Sequence, residues 1–160
     1  MKSEMTQLID ELRGLPAQVN EVDYRKRGYH IEVILSPGEV RGFAGILRNH
    51  RYYLVFVSAV HLAPAVEVIY QFASHSRPSR IIGRAEVTDD GSIPTISDIF
   101  AGANWHERET MEMFGVAFSG HPYPEPLLLP EDAAGLNPLL KGEGGAKTAD
   151  QVRWPAGDGN

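Results

Sequence analysis

Residues 93–122 decide how the second half of this chain folds, and they read IPTISDIFAGANWHERETMEMFGVAFSGHP. Asn104 is a favoured helix N-cap, and Glu107 can complete a capping box by accepting a hydrogen bond from the Asn104 backbone N–H. Gly115 is the residue type that commonly ends a helix in the left-handed conformation. The stretch therefore predicts a short helix between Asn104 and Gly115, followed by a short strand over residues 117–119.

Three consecutive charges, Glu107, Arg108 and Glu109, leave this predicted helix in three directions. In a purely local interpretation, Glu107 caps the helix, Arg108 pairs with Glu112 four residues later, and Glu109 is solvated. In the alternative interpretation, the same turn is a preorganised polar contact for another protein chain.

A rigid turn is predicted where the stretch ends, at Gly120-His121-Pro122. Glycine permits a close backbone approach, and proline restricts the direction of the chain. His121 either hydrogen-bonds within its own turn or joins the charged helix turn in a contact with a neighbouring protein.

The spacing of these residues resembles that of one protein family. Trp-x-Glu-Arg-Glu, Phe-Gly-Val and Gly-His-Pro follow one another as they do in the 30-kDa subunit (the C subunit) of respiratory complex I, NADH:quinone oxidoreductase. The resemblance is strong over residues 93–132, and the same segment also occurs in related membrane-bound hydrogenases. Two departures stand out, because the family usually has Asp where Glu112 stands and commonly two arginines where Glu125 and Pro126 stand.

This resemblance implies a cofactor-free accessory subunit in the peripheral arm of a proton-translocating complex. Its partners would be the large quinone-site subunit and the cluster-bearing subunits, while NADH, FMN, iron–sulfur clusters and quinone would be bound by those other chains. No residue of this chain would be catalytic. The resemblance assigns the following residues to the subunit interface or to a structural motif: Trp105, Glu107, Arg108, Glu109, Phe114, Gly115, Gly120, His121 and Pro122.

Composition narrows the function classes further. The chain has 160 residues, a net charge of −6 and no cysteine, so it is long enough for one domain and lacks thiolate ligands for an iron–sulfur cluster. The net negative charge disfavours nucleic-acid binding. No apolar run approaches the ~20 residues of a membrane span, and no signal peptide is recognisable. We therefore expect a cytoplasmic protein, and the resemblance implies that it lies peripherally on the inner face of the cell membrane through its complex.

Apolar periodicity and turn residues predict an α+β fold, with a mostly antiparallel sheet, two to three helices and an extended C-terminal tail. The expected domain covers residues 1–132, and residues 133–160 form the Gly-rich extended or disordered tail, in which Trp154 could anchor the chain on a partner. The predicted elements are a helix over 4–12, strands over 19–24 and 29–35 joined by the basic turn Arg25-Lys26-Arg27, a helix from Pro37 to Asn49, and strands over 52–59, 64–74 and 80–87.

No self-sufficient active site is evident in the sequence. The six histidines lack metal-ligand spacing. Residues 142–148, GEGGAKT, end like a phosphate-binding loop, but that motif requires glycine where Lys141 and Ala146 stand and an apolar strand before it, which is missing. Two alternatives to the complex I assignment stay open. In the first, the chain is the equivalent subunit of a related membrane-bound hydrogenase or non-NADH dehydrogenase. In the second, it is a free-standing ligand-binding domain.

Overall fold

The computed structural model describes residues 3–142, and its elements follow the predicted order. The α+β class is confirmed. The helices are α1 (Glu4–Arg13), α2 (Tyr24–Arg27), α3 (Val40–Asn49) and α4 (Ala103–Phe114), with short 3₁₀ turns at Pro37–Glu39 and Glu131–Ala133. The strands are β1 (Gln18–Glu21), β2 (Ile31–Leu35), β3 (Tyr52–Leu62), β4 (Ala65–Ser74), β5 (Arg80–Glu86), β6 (Ser92–Pro94) and β7 (Ala117–Ser119).

The first five strands form one sheet in the order β1-β2-β5-β4-β3. The pairs β1–β2, β3–β4 and β4–β5 are antiparallel, in agreement with the predicted mostly antiparallel sheet, whereas β2 and β5 are parallel. This parallel pair arises because α3 and the β3–β4 hairpin intervene, so β5 returns beside β2 in the same direction. The sheet is therefore mixed. Strands β6 and β7 form a separate parallel pair.

The basic segment between β1 and β2 differs from the hairpin turn that the sequence predicts. It is the single helical turn α2, capped by the Asp23 side chain and ended by Gly28 in the left-handed conformation with φ 78°. An Asp N-cap and a Gly C-cap satisfy the exposed backbone groups of even one turn. The antiparallel pairing on either side of α2 agrees with the prediction.

The core lies between the sheet and the helices. Phe43 of α3 packs edge-to-face against Phe72 of β4, with ring centroids 5.6 Å apart, and α1 contributes Leu8 and Leu12, which are fully buried. A Cβ at Gly83 of β5 would lie 2.4 Å from Phe43 Cε1, so α3 approaches the sheet through a glycine. Helix α4 packs against β3, which is one of the two edge strands of the sheet.

The segment after α4 contains little regular structure. The predicted boundary at residue 132 falls within the 3₁₀ turn Glu131–Ala133, and the Leu139 N–H returns to the carbonyl of Met113 at the end of α4. The remainder of the predicted tail, including Trp154, lies outside the described residues. Within residues 3–142, no helix combines the length and apolar character needed to cross a membrane.

Candidate subunit-interface site

Helix α4 begins two residues earlier than the sequence predicts, since an N-cap at Asn104 would have made Trp105 the first helical residue. Ala103 is its first residue, and its N-cap, Gly102, makes no side-chain capping hydrogen bond. The predicted capping box of Asn104 and Glu107 is therefore wrong, because the Glu107 carboxylate is bound by Thr95 and Ile96 instead. The predicted C-terminal stop is confirmed, since Gly115 has φ 71° and donates its N–H to the Met111 carbonyl.

Glu107 is fully buried rather than placed at an exposed helix end. Its Oε2 accepts a hydrogen bond from the Thr95 hydroxyl, and its Oε1 accepts one from the Ile96 N–H at 2.8 Å. Thr95 Oγ1 is in turn 2.8 Å from the Ser97 hydroxyl. The carboxylate thus ties α4 to the chain that follows β6.

The surroundings of Glu107 change its acidity. Burial raises the pKa of Glu107, and the hydrogen bonds from Ile96 and Thr95 lower it. Burial has the larger effect, so the pKa is about 7. Removing a carboxylate from water disfavours its charged form. Burial, and to a smaller extent the Glu107 charge, also raises the pKa of Tyr70 well above its usual value. The Tyr70 hydroxyl is buried and has no hydrogen-bond partner among the described residues.

His121 lies next to this carboxylate and is itself buried. Its Nδ1 accepts a hydrogen bond from the Tyr123 N–H at 3.1 Å, which leaves Nε2 to carry the proton. Nε2 is 3.2 Å from the Asn104 carbonyl and 3.8 Å from Glu107 Oε2. His121 therefore bonds within its own turn, as one interpretation predicted, and also links that turn to α4.

Gly120 and Pro122 flank this histidine. Gly120 has φ 80°, in the left-handed region that favours glycine, and the Thr95 N–H donates to the carbonyl of Ser119 just before it. Pro122 is exposed. The turn is therefore attached to the residues that bind Glu107.

Arg108 binds backbone rather than Glu112. Its Nε donates to the Glu125 carbonyl at 2.8 Å, and its Nη2 donates to the Pro126 carbonyl at 2.6 Å. The guanidinium carbon lies 4.9 Å from the centre of the Tyr123 ring. The predicted Arg108–Glu112 pair is wrong, because the guanidinium is bound by the loop after His121.

Glu112 has a role that the sequence interpretation missed. Its carboxylate accepts hydrogen bonds from the N–H groups of Leu127 at 2.7 Å, Leu128 at 2.8 Å and Leu129 at 3.1 Å. Three consecutive backbone donors converge on one side chain. The available signal was the three leucines that stand between Pro126 and Pro130 in a loop without a β partner. Their N–H groups required acceptors, and Glu112 is a carboxylate of the predicted helix that precedes them.

The other predicted site residues lie closer to solvent. Trp105 is 68% exposed and Glu109 is also exposed, whereas Phe114 is half-buried against the core. Trp105, Arg108 and Glu109 share one side of α4 by their helical spacing, and Tyr123, 55% exposed, stacks on Arg108. We call Trp105, Arg108, Glu109, Pro122 and Tyr123 the α4 face.

A cavity of about 160 Å³ opens beside Arg108, between α4 and the loop. Its lining includes Met111, Pro126, Leu129 and Ala133, so it is largely apolar. Among residues 3–142 no cluster of three or more histidine or carboxylate side chains could hold a metal ion. The geometry is that of a hydrogen-bonded surface with a mostly apolar recess beside it.

Comparison with known proteins identifies the family. The model of the family described as "Respiratory-chain NADH dehydrogenase, 30 Kd subunit" matches residues 33–148, which is more than half of the chain. The chain belongs to this family. The resemblance inferred from residues 93–132 is thereby confirmed over a longer stretch.

Individual relatives agree with this family. The chain is 44% identical over 119 residues to the NADH-quinone oxidoreductase C subunit of Roseiflexus sp. (strain RS-1), a match that covers 69% of this chain and 68% of the relative. It is 38% identical over 77 residues to the F(420)H(2) dehydrogenase C subunit of Methanosarcina mazei, which covers 48% of this chain and 49% of the relative.

A solved structure shares the fold. One chain of the membrane-bound sulfane sulfur reductase, an archaeal respiratory membrane complex, superposes with a TM-score of 0.72, covering 86% of this chain and 83% of that one. At 20% identity this likeness concerns the fold alone.

Proposed function

We propose that this chain is the 30-kDa subunit of a proton-translocating NADH:quinone oxidoreductase, in which it is a cofactor-free accessory subunit of the peripheral arm. The family and the Roseiflexus relative, which is named as an NADH-quinone oxidoreductase subunit, support the type of complex. The lack of cysteine supports a chain that leaves the iron–sulfur clusters, together with NADH, FMN and quinone, to its partners. It would lie peripherally on the inner, cytoplasmic face of the membrane.

The observation that carries the interface part of this proposal is the exposure of Trp105. The helix that bears it is held in place by the hydrogen bonds of Glu107 and Arg108. Tryptophan and tyrosine are enriched among the residues that dominate binding energy, and Trp105 and Tyr123 both lie on the α4 face. Their solvent exposure has no evident use in an isolated chain. We infer that the α4 face binds the large quinone-site subunit, with the adjacent apolar recess available to one of its side chains.

The remaining predicted site residues would support that face. Glu107 and His121 hold α4 against the Gly120 turn, and Arg108 holds the loop after it. A surface that is already ordered loses less conformational entropy on binding. The contribution to electron transfer would be indirect, through the rigid positioning of redox centres on other chains.

A second candidate differs in the electron donor. The similarity to a subunit of F(420)H(2) dehydrogenase supports an equivalent role in a non-NADH dehydrogenase. A membrane-bound hydrogenase and a free-standing ligand-binding domain remain predictions that the same experiment separates.

The experiment is affinity purification of the tagged full-length chain from detergent-solubilised membranes of its source, with co-eluting chains identified by mass spectrometry. We expect cluster-binding and nucleotide-binding dehydrogenase subunits. An F(420)H(2)-binding subunit would favour the second candidate, a nickel–iron subunit would indicate a hydrogenase, and recovery of the chain alone would contradict a role as a subunit.

A variant pair tests the α4 face in the same experiment. Trp105→Ala combined with Tyr123→Ala should abolish recovery of the large subunit, because both rings leave the interface. Leu62→Ala is the matched control, since Leu62 is 61% exposed at the end of β3 and shares no residue with the α4 face. Unchanged recovery of the double variant would place the interface elsewhere.

A further inference from the structure

A group of cationic side chains stands apart from the α4 face. Arg25, Lys26 and Arg27 of α2, together with Arg80 at the start of β5, form no ion pair with any residue in the described range 3–142. The chain as a whole has a net charge of −6, so this is a local excess of positive charge on an acidic protein. Such an excess attracts negatively charged partners.

A cleft in the sheet is lined by Arg80 and by Tyr24, the residue of α2 that precedes the other three cations. Strand pairing places Tyr53 opposite Ala73, and Ala73 opposite Arg80. The Arg80 carbonyl in turn accepts the His30 N–H at 2.9 Å. Larger side chains therefore flank the small Ala73 along this row. Tyr24, Tyr53 and Arg77 also line the cleft, whose volume is about 420 Å³.

The walls of the cleft are held by contacts among aromatic and cationic groups. Tyr24 stacks on His30 with ring centroids 4.6 Å apart, and the Arg80 guanidinium lies 5.9 Å from the Tyr24 ring. On the other wall, Tyr53 stacks on His75 at 4.1 Å. Tyr24 is 43% exposed and Tyr53 is 38% exposed, so each ring still offers surface to a ligand.

We propose that this cleft binds an acidic, extended segment of a partner protein. The partner's carboxylates would pair with Arg80 and with the cations of α2, while an apolar side chain would lie over Ala73 against Tyr53. Arginine binds carboxylates with good geometry, and aromatic walls suit apolar side chains. The occupant is identified by charge complementarity, since the lining contains Arg77 and Arg80 but no carboxylate, and the cations of α2 directly follow the lining residue Tyr24.

The arrangement favours a series of carboxylates over a single compact phosphate. A phosphate site gathers backbone N–H groups around one anion, but the Arg80 N–H is bound by His30 Nδ1 at 3.1 Å and the His30 N–H by the Arg80 carbonyl. Arg77 is already paired with Glu4 at 2.9 Å. The available cations are distributed over α2 and β5, as an extended chain with several charges requires.

This site shares no residue with the α4 face and would serve a second contact beyond the proposed subunit interface. Its test is a titration of the ¹⁵N-labelled full-length chain at low ionic strength, followed by amide chemical shifts. The probe is a synthetic peptide of about ten residues, with one phenylalanine among glutamates and aspartates. We expect saturable changes in amide chemical shift centred on Tyr24, His30, Tyr53 and Arg80. Added salt should weaken the binding because it screens the charges.

Two sets of variants sharpen the test. The triple reversal Arg25→Glu, Arg27→Glu and Arg80→Glu should weaken peptide binding about tenfold or more, because three attractive charges become repulsive. Tyr53→Ala should weaken binding of the phenylalanine peptide but leave an all-glutamate peptide unaffected. Lys141→Glu is the charge-reversal control and should bind as the unmodified chain does, because Lys141 follows the C-terminal loop, next to His61.

Other outcomes would overturn the proposal. Unsaturable shifts, shifts outside the cleft, or equal affinity of the triple variant would exclude an acidic segment as the occupant. Tighter binding of inorganic pyrophosphate would indicate a phosphate site, and preferential binding to phosphatidylglycerol vesicles would indicate a membrane surface. A folded spectrum of the triple variant without peptide distinguishes lost binding from lost structure.

Discussion

The five-stranded sheet and the segment after α4 are organised by different forces. In the sheet, backbone groups pair with one another, and fully buried side chains such as Phe43, Phe72 and Ile81 fill the interior. Residues 120–130 have no strand partner, and their backbone is bound instead by side chains of α4, namely Arg108 and Glu112. A short helix can therefore provide the frame for a proline-rich loop that lacks secondary structure of its own.

This contrast changes the meaning of the charged residues. Charges on a short helix are usually solvated or paired with each other, and each such pair contributes little. Here Glu107, Arg108 and Glu112 bind groups distant in sequence, whereas Glu109 is exposed to solvent. The stability of the sheet should therefore depend on side-chain packing, and the conformation of the loop on individual polar side chains. Substitutions in the two regions can test these dependences separately.

The largest expected effect is in the sheet. Gly83→Ala places a Cβ 2.4 Å from the ring of Phe43, which is fully buried and cannot move freely. We expect the free energy of unfolding in urea to fall by about 3 kcal/mol. Gly45→Ala on α3 is the control, since nothing lies within 4 Å of its Cβ, and it should raise stability by roughly 0.5–1 kcal/mol. Equal stability of both variants would refute close packing of α3 on the sheet.

The buried carboxyl at the junction of the two regions makes stability depend on pH. The folded-state pKa of Glu107 is about 7, above its ordinary value of 4.5, so the folded protein holds this proton more tightly than the unfolded chain. The stability that protonated Glu107 contributes is fully present below about pH 4.5 and is lost as the pH rises through 7. The free energy of unfolding should change by up to about 3 kcal/mol over this range. Asp98, Arg41, Tyr70 and His121 are the other titratable groups that face it or influence it.

Glu107→Gln is the variant that checks this dependence. Its unfolding free energy should vary less between pH 4.5 and 7 than that of the unmodified chain, as measured by urea titrations at each pH. Glu109→Gln, on the same helix but accessible to solvent, should keep the original slope. An identical slope in the Glu107 variant would show that this carboxyl does not titrate in that range.

The loop should respond locally to the loss of Glu112. Glu112→Ala leaves the N–H groups of Leu127, Leu128 and Leu129 without their acceptor. We expect faster hydrogen exchange at these three amides, unchanged exchange in the sheet, and a loss of about 1–2 kcal/mol in global stability. Glu131→Ala, an exposed carboxylate of the same segment, is the control. Uniform acceleration across the sheet would show that the two regions do not behave separately.

The smallest effect is expected for Arg108→Lys. The ammonium group retains the charge but cannot reproduce the fork that reaches both the Glu125 and Pro126 carbonyls. Stability should fall by about 1 kcal/mol or less, while chemical shifts change around Tyr123. Unaltered shifts there would mean that the guanidinium does not position the loop.

Much of the fold could be predicted from local patterns. The α3 helix and the strands β3, β4 and β5 follow from apolar periodicity, and the end of α4 at Gly115 follows from a glycine stop signal. The parallel pairing of β2 with β5 was not predictable in this way, since it joins residues far apart along the chain, such as Ile31 and Ile81. The helical turn α2 was missed because a four-residue basic segment carries no periodic signal.

The candidate site divides in the same manner. The motif residues were identified from their spacing, but no local pattern distinguishes the buried Glu107 from Glu109, because both are glutamates in one helical turn. The acceptors of Arg108 and the donors of Glu112 lie 15 to 18 residues along the chain. Such contacts depend on where the loop returns, which no helical period encodes.

By itself, the sequence determined the family, the α+β class and the position of α4, because spacing, periodicity and glycine stops act over a few residues. Tertiary structure alone decided which charges face inward. It brings Thr95, Glu107 and His121 together and directs the side chains of α4 to a distant loop. The physical reason is that the free energy of a charge depends on its surroundings, and chain segments far apart in sequence supply those surroundings.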